Sequence, residues 1–146
     1  MQLPLARDTL ITEITLEGDP MQLSKIHHVA IICSDYEKAK EFYVHKLGLA
    51  LVREVYRPER HDYILTLLVG DVEVELFVMD NPPQRVTNPE ARGLRHLAFH
   101  VENIEPVIDW LNGMGIETEP VRVDPFTGGR MTFFRDPDGL PLELHE

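Results

Sequence analysis

Residues 27–33 read HHVAIIC and residues 95–101 read RHLAFHV, and the two stretches superimpose when the chain is slid along itself by 68 positions. His28-Val29-Ala30 falls on His96-Leu97-Ala98, and Val74-Glu75-Leu76 falls on Leu142-Glu143-Leu144, so each His is followed by its Glu after the same 47 residues. A fixed internal offset is the signature of a duplicated supersecondary unit. Between the matched ends each half reads alike: a strand, an amphipathic helix, then three short strands. The chain is therefore expected to be α+β, built as two pseudo-symmetric βαβββ modules whose strands form a curved mixed sheet around a cavity.

In the first module, residues 24–80, KIHHVAIIC runs into Ser34-Asp35-Tyr36-Glu37, which has the form of a capping box. Ala39, Phe42, Tyr43 and Leu47 follow at helical spacing and Gly48 supplies a stop, which predicts a helix over about 35–47. LALVREVY, YILTLLV and VEVELFVM are the three following strands. In the second module, residues 93–146, HLAFHV leads to Asn103 as helix cap, and Ile104, Val107, Ile108, Leu111 and Met114 mark the helix, closed by Gly115. IETEPVRV, RMTFF and LPLELHE complete it. Residues 81–92, rich in Pro and Asn, read as a crossing loop. Residues 1–23 read as an N-terminal extension. LITEITL within it has the pattern of a short edge strand, and a second Met-Gln-Leu begins at Met21.

The 146 residues carry 43% apolar and 27% charged side chains, which is ordinary globular usage. Fourteen basic against 25 acidic residues give a net charge of −11, which opposes binding to nucleic acid or an anionic membrane surface. The single cysteine, Cys33, excludes an internal disulfide and suits the cytoplasm. Its helix-facing position marks it as a small buried hydrophobe.

Strand residues alternate faces. His28 shares a side with Ala30 and Ile32, and Glu75 shares one with Glu73 and Phe77, opposite the apolar Val72, Val74, Leu76 and Val78. His96, Ala98 and His100 behave likewise, as do Glu143 and His145. With the helices outside, His28, Glu75, His96 and Glu143 are expected to converge between the halves. Two imidazoles and two carboxylates suit a borderline divalent ion, and in six-fold coordination leave two positions open.

With IHHVAI and its helix, VEVELF, GLRHLAFHV and the ending FFRDPDGLPLEL, the chain resembles the vicinal oxygen chelate superfamily. That superfamily includes glyoxalase I, bleomycin-resistance proteins, methylmalonyl-CoA epimerase and extradiol dioxygenases. The resemblance covers residues 24–146 and implies paired modules around a divalent metal. The ligand set at His28, Glu75, His96 and Glu143 is similar to that of bacterial glyoxalase I. It implies a lyase acting on the glutathione hemithioacetal of methylglyoxal, with Glu143 as first base, Glu75 as its symmetric alternative, and nickel or zinc ahead of cobalt, manganese or iron. It also implies a homodimer, with the metal site either inside one chain or shared between two. His100, Phe77 and His145 are expected on the cavity face, and Arg57, Arg95 and Arg130 are candidate anion holders. Epimerisation beside a CoA thioester is the alternative reaction, and metal-free sequestration of a drug is the alternative function.

Overall fold

The computed structural model describes residues 23–146. The extension, with its LITEITL strand, lies outside the described residues except for Leu23. Eight strands and two helices follow: β1 (His28–Cys33), α1 (Tyr36–Lys40) continued by a π-helical segment (Glu41–Lys46), β2 (Ala50–Arg57), β3 (Asp62–Val69), β4 (Val72–Val78), β5 (Leu97–His100), α2 (Ile104–Gly113), β6 (Arg122–Val123), β7 (Arg130–Arg135) and β8 (Pro141–His145). They form two four-stranded sheets, in the orders β1-β4-β3-β2 and β5-β8-β7-β6, rather than one continuous sheet. In each sheet the first pair, β1 with β4 or β5 with β8, is parallel and the remaining pairs are antiparallel. The duplication read from the offset is thus a duplication of topology.

Capping departs from the capping-box reading at one end. Asp35, not Ser34, is the N-cap of α1, its carboxylate accepting from the Lys38 amide at 2.9 Å. Ser34 instead gives both its amide and its hydroxyl to Asp138 of the other module. The π-helical segment follows because the Leu47 amide reaches back to the Phe42 carbonyl at 2.9 Å. In the second module Asn103 caps α2 as expected, accepting from Glu105 N at 3.3 Å. IETEPVRV yields only the two-residue β6. Pro120 has no amide to give a ladder, although Glu119 still pairs with Phe133 through its amide at 2.8 Å.

One apolar core serves both modules. It gathers Ile31, Cys33, Phe42, Tyr43, Val74 and Leu76 from the first with Ile104, Leu111, Phe134, Leu142 and Leu144 from the second. Each fully buried Leu or Ile contributes about 1.5–3 kcal/mol, and Leu65, Leu67, Leu76, Ile104 and Leu142 are at 0% exposure. The modules meet through their helical sides. Tyr43 donates to the buried Asp136 at 2.8 Å, and the Trp110 indole donates to the Lys46 carbonyl at 2.7 Å. Burial pushes the Asp136 carboxyl above its ordinary value against the hydrogen bonds it accepts, and pushes the Cys33 thiol up as well.

Arg130 serves this architecture. Its guanidinium grips Glu105 at the start of α2 and Glu146 at the chain end, while Glu146 also accepts from Ile104 N at 2.8 Å. The Arg130 contact and that amide bond hold the Glu146 carboxyl at about 2, against an ordinary 4.5. A depressed carboxylate stabilises the fold above its unfolded value and loses that contribution as pH falls through its folded value. Glu146→Gln is therefore expected to lower the thermal midpoint at pH 7, with the difference from wild type shrinking between about pH 4.5 and pH 2. Paired melting curves across that window check it, and a constant difference would refute it.

Candidate metal and substrate site

The side chains that carry chemistry lie on the sheet faces turned away from the helices. In β1 the exposure alternates, with His28, Ala30 and Ile32 exposed and Ile31 and Cys33 buried. In β4, Val74, Leu76 and Val78 are buried, leaving Glu73, Glu75 and Phe77 on the open face. The β1–β4 register sets Ala30 beside Glu75, and the β5–β8 register sets Ala98 beside Glu143. A small residue thus stands next to each carboxylate.

His96 Nε2 lies 2.9 Å from Glu143 Oε2, and His28 Nε2 lies 3.8 Å from Glu75 Oε2. The four side chains stand as two pairs. Among the described residues, no group of three or more His, Cys, Asp or Glu side chains is placed to hold a metal ion. The convergence expected between the halves is not made within one chain.

The donor chemistry fits half a site in each module. Two cis ligands on bonds of ~2.1 Å stand roughly 3 Å apart, close to the His96–Glu143 separation. Two ligands are nevertheless fewer than the three or four that hold a catalytic divalent ion. His28 has an acceptor or donor for its second ring nitrogen in His27 Nδ1, 2.9 Å away. Nδ1 of His96 is buried with no partner among the described residues.

The two faces differ around these pairs. Glu75 shares its other oxygen with Arg53, at 3.4 Å from Nη2. Beside Glu143, Phe133 presents its ring to the edge of His96 at 5.3 Å between centroids, and Arg122 stacks over Phe133. Phe77 is on the open face beneath the Arg57 guanidinium, 5.4 Å from the ring centre. The Arg57 fork is already taken by Asp62 at 2.5 and 2.7 Å. His145 is tied through Nδ1 to the Glu146 carbonyl at 2.8 Å and faces Asp124 at 3.5 Å, contacts that raise its proton affinity. Gly129 packs so closely on it that a Cβ there would stand 2.6 Å from the imidazole. His100 is exposed, with Nδ1 3.2 Å from the His145 carbonyl and Nε2 3.6 Å from Glu102.

Two of the three anion-holder arginines lie elsewhere. Arg130 is engaged at the helix side as described. Arg95 pairs with Glu90 in the crossing loop at 2.9 and 3.1 Å. Arg53, Phe133 and Arg122 complete the open faces and were not singled out from the sequence. A register shift between Leu51 and Arg53 places Arg53 opposite Thr66, and no residue pattern announces that bulge. A groove of about 900 Å³ runs along β1, lined in part by Ala30, Ile32, Pro82, Leu94 and Asp138.

Duplicated βαβββ units, each carrying a His–Glu pair on its open face, define the class of protein to which this chain corresponds. The chain belongs to the glyoxalase/bleomycin resistance protein/dioxygenase superfamily, whose family model matches residues 25–144. It is 59% identical over 127 residues to YwkD of Bacillus subtilis, covering 86% of this chain and 99% of that one. A crystal structure of a glyoxalase family protein from Enterococcus faecalis is 60% identical and superimposes with a TM-score of 0.81 over 85% of this chain and 98% of the other. At greater distance, a probable lactoylglutathione lyase of Vibrio cholerae is 28% identical over 85% of this chain and 91% of its own. Other relatives carry the names of glyoxalases and epimerases, and fosfomycin-resistance proteins share the fold. No helix among the described residues is long and apolar enough to cross a membrane.

Proposed function

We propose that the chain is a cytoplasmic, metal-dependent lyase of the glyoxalase I type, working as a homodimer on a small enolisable substrate. The observation that carries this reading is the matched pair of half-sites, His28 with Glu75 and His96 with Glu143, on open faces of one chain. The His28–Glu75 pair of one copy and the His96–Glu143 pair of a second would together supply four ligands, which neither copy supplies alone. Exposed Ile32, Val55 and Leu68 on the first sheet, and the partnerless buried Nδ1 of His96, are consistent with faces completed from outside the chain.

In this reading the imidazoles and carboxylates hold nickel or zinc, with cobalt, manganese or iron as substitutes. A bound divalent ion supplies a Lewis acid that stabilises negative charge on the substrate oxygen. Glu143 is the base: its Oε2 faces His96, and Oε1 is available to take the carbon-bound proton and return it to the neighbouring carbon. Glu75 has its oxygens directed to His28 and Arg53 and is correspondingly held as a ligand. Phe133, opposite Glu143 in the strand register and edge-on to His96, helps exclude water from the pair. The glutathione hemithioacetal of methylglyoxal is the first substrate to test.

The reading predicts that chelated protein forms no thioester from methylglyoxal and glutathione and that nickel or zinc restores formation. Absorbance of the thioester measures it. Metal bound without turnover would discard this substrate. Turnover unaffected by chelation would overturn the metal reading, and tight retention of an apolar drug by metal-free protein would favour sequestration.

A further inference from the structure

A second cleft, of about 470 Å³, lies between the crossing loop and the second sheet, with Arg85, Thr87, Glu90 and Arg95 lining it from the loop and Arg135 and Asp138 from the sheet. It begins where the open face of that sheet ends. Arg135 opposes Pro141, one row beyond the pair Phe133 and Glu143, and Arg95 directly precedes His96. Of the ten arginines in a chain of net charge −11, three meet at this cleft. Its lining sets three guanidiniums against two carboxylates, so the local charge opposes the net charge.

Both carboxylates are already engaged. Asp138 takes the amide and the hydroxyl of Ser34, one on each oxygen, and both oxygens of Glu90 accept from Arg95 Nε at 2.9 and 3.1 Å. The guanidiniums keep donors in reserve. Arg85 uses Nη2 on the carbonyls of Leu94 and Arg95, at 2.6 and 3.0 Å, and Arg135 uses Nη1 on the Phe134 carbonyl and Nη2 on Glu119. Each guanidinium has five N–H groups. Nε and Nη1 of Arg85, both Nη groups of Arg95 and Nε of Arg135 therefore have no partner among the described residues. The existing contacts hold the three forks in place, which reduces the side-chain entropy lost on binding. An anion between them also relieves the repulsion of like charges gathered in one cleft.

We propose that Arg85, Arg95 and Arg135 form a binding site for a phosphate monoester group. A carboxylate offers two oxygens to a single fork, whereas a phosphate monoester offers three, enough for guanidiniums arriving from three residues. The inference goes beyond the metal-dependent reading and does not rest on it, since neither His–Glu pair takes part. It names a class of ligand, a phosphorylated small molecule. Held by its phosphate in the cleft, such a molecule has its remaining atoms next to the row that carries Glu143.

The test uses metal-free protein from which the chelator has been dialysed. Methyl phosphate, inorganic phosphate and acetate are titrated separately, followed by calorimetry and by the arginine Nε–H signals in NMR. Methyl phosphate should saturate with a Kd of about 1 mM or below, move the Nε–H signals of Arg85, Arg95 and Arg135, and bind at least about tenfold more tightly than acetate. Arg95→Gln and Arg135→Gln should each weaken it by about tenfold, and Arg95→Lys should keep part of the affinity. Arg60→Gln, in the turn between β2 and β3, should leave it unchanged. Arg85 is left in place because its contacts also brace the crossing loop, and matching melting curves show that the other variants are folded. Absence of saturable binding, an equal loss in Arg60→Gln, or acetate bound as tightly as methyl phosphate would each overturn the site. Binding of inorganic phosphate without methyl phosphate would also overturn it, since the cleft would then be closed to an ester. None of these outcomes bears on the metal-dependent reading, which turnover tests separately.

Discussion

Glu143→Gln is expected to lower metal-dependent turnover by about 10³-fold, the range assigned to removal of a positioned general base. The carboxylate is nearly buried, with 7% of its side chain exposed, and lies 2.9 Å from His96 Nε2. Gln fills the same volume and keeps an oxygen that can face the ion, but it cannot take a proton from carbon. The loss should therefore fall on kcat, with the fold intact. Metal content measured by atomic spectroscopy, alongside turnover, separates the two roles: a variant that holds metal and has lost turnover marks a base. Full activity in Glu143→Gln would remove that assignment and leave Glu75 as the base.

The second large effect comes from mixing two inactive variants. His28→Ala and His96→Ala each remove one ligand and are each expected to be inactive alone. If every site combines the first module of one copy with the second module of the other, a mixed dimer has one site with both lesions and one with none. Random reassortment of equal amounts makes half of the dimers mixed, so activity should rise from near zero to about a quarter of wild type. Sites enclosed within single chains would give no recovery at any mixing ratio. The experiment requires exchange of subunits, which co-expression of differently tagged copies ensures, and affinity purification of the mixed species should double its specific activity to about half.

Much of the fold was legible because it depends on short-range regularities. Period-two alternation assigned His28, Ala30 and Ile32 to one face and Ile31 and Cys33 to the other, and exposure follows that division. The offset of 68 placed His96 and Glu143 where the first module has His28 and Glu75, and with β1 parallel to β4 and β5 to β8 each His reaches its own Glu, at 3.8 and 2.9 Å, past the alanine that stands directly opposite the carboxylate. Asn103 was recognisable as a cap because capping is a local interaction. The choice between Ser34 and Asp35 depended on Asp138, 104 residues away from Ser34, which engages the serine.

The arginines were the least legible residues, since a long flexible side chain is placed by its partners rather than by its strand. Arg130 reads like a rim residue until Glu105 and Glu146 are seen on either side of it, and Arg57 reads like an anion holder until Asp62 occupies its fork. Arg53 reaches the open face through a one-residue shift in β2 that only the pairing with β3 reveals. By itself the sequence determined the duplication, the face on which each His and Glu lies and the chemistry of those donors, because backbone periodicity and residue type are written locally. Only the tertiary structure decided that the four donors stand as two separate pairs. Each pair belongs to its own four-stranded sheet, β1 with β4 in one and β5 with β8 in the other, and strand pairing within a sheet brings a His to its own Glu without bringing one sheet's donors to the other's.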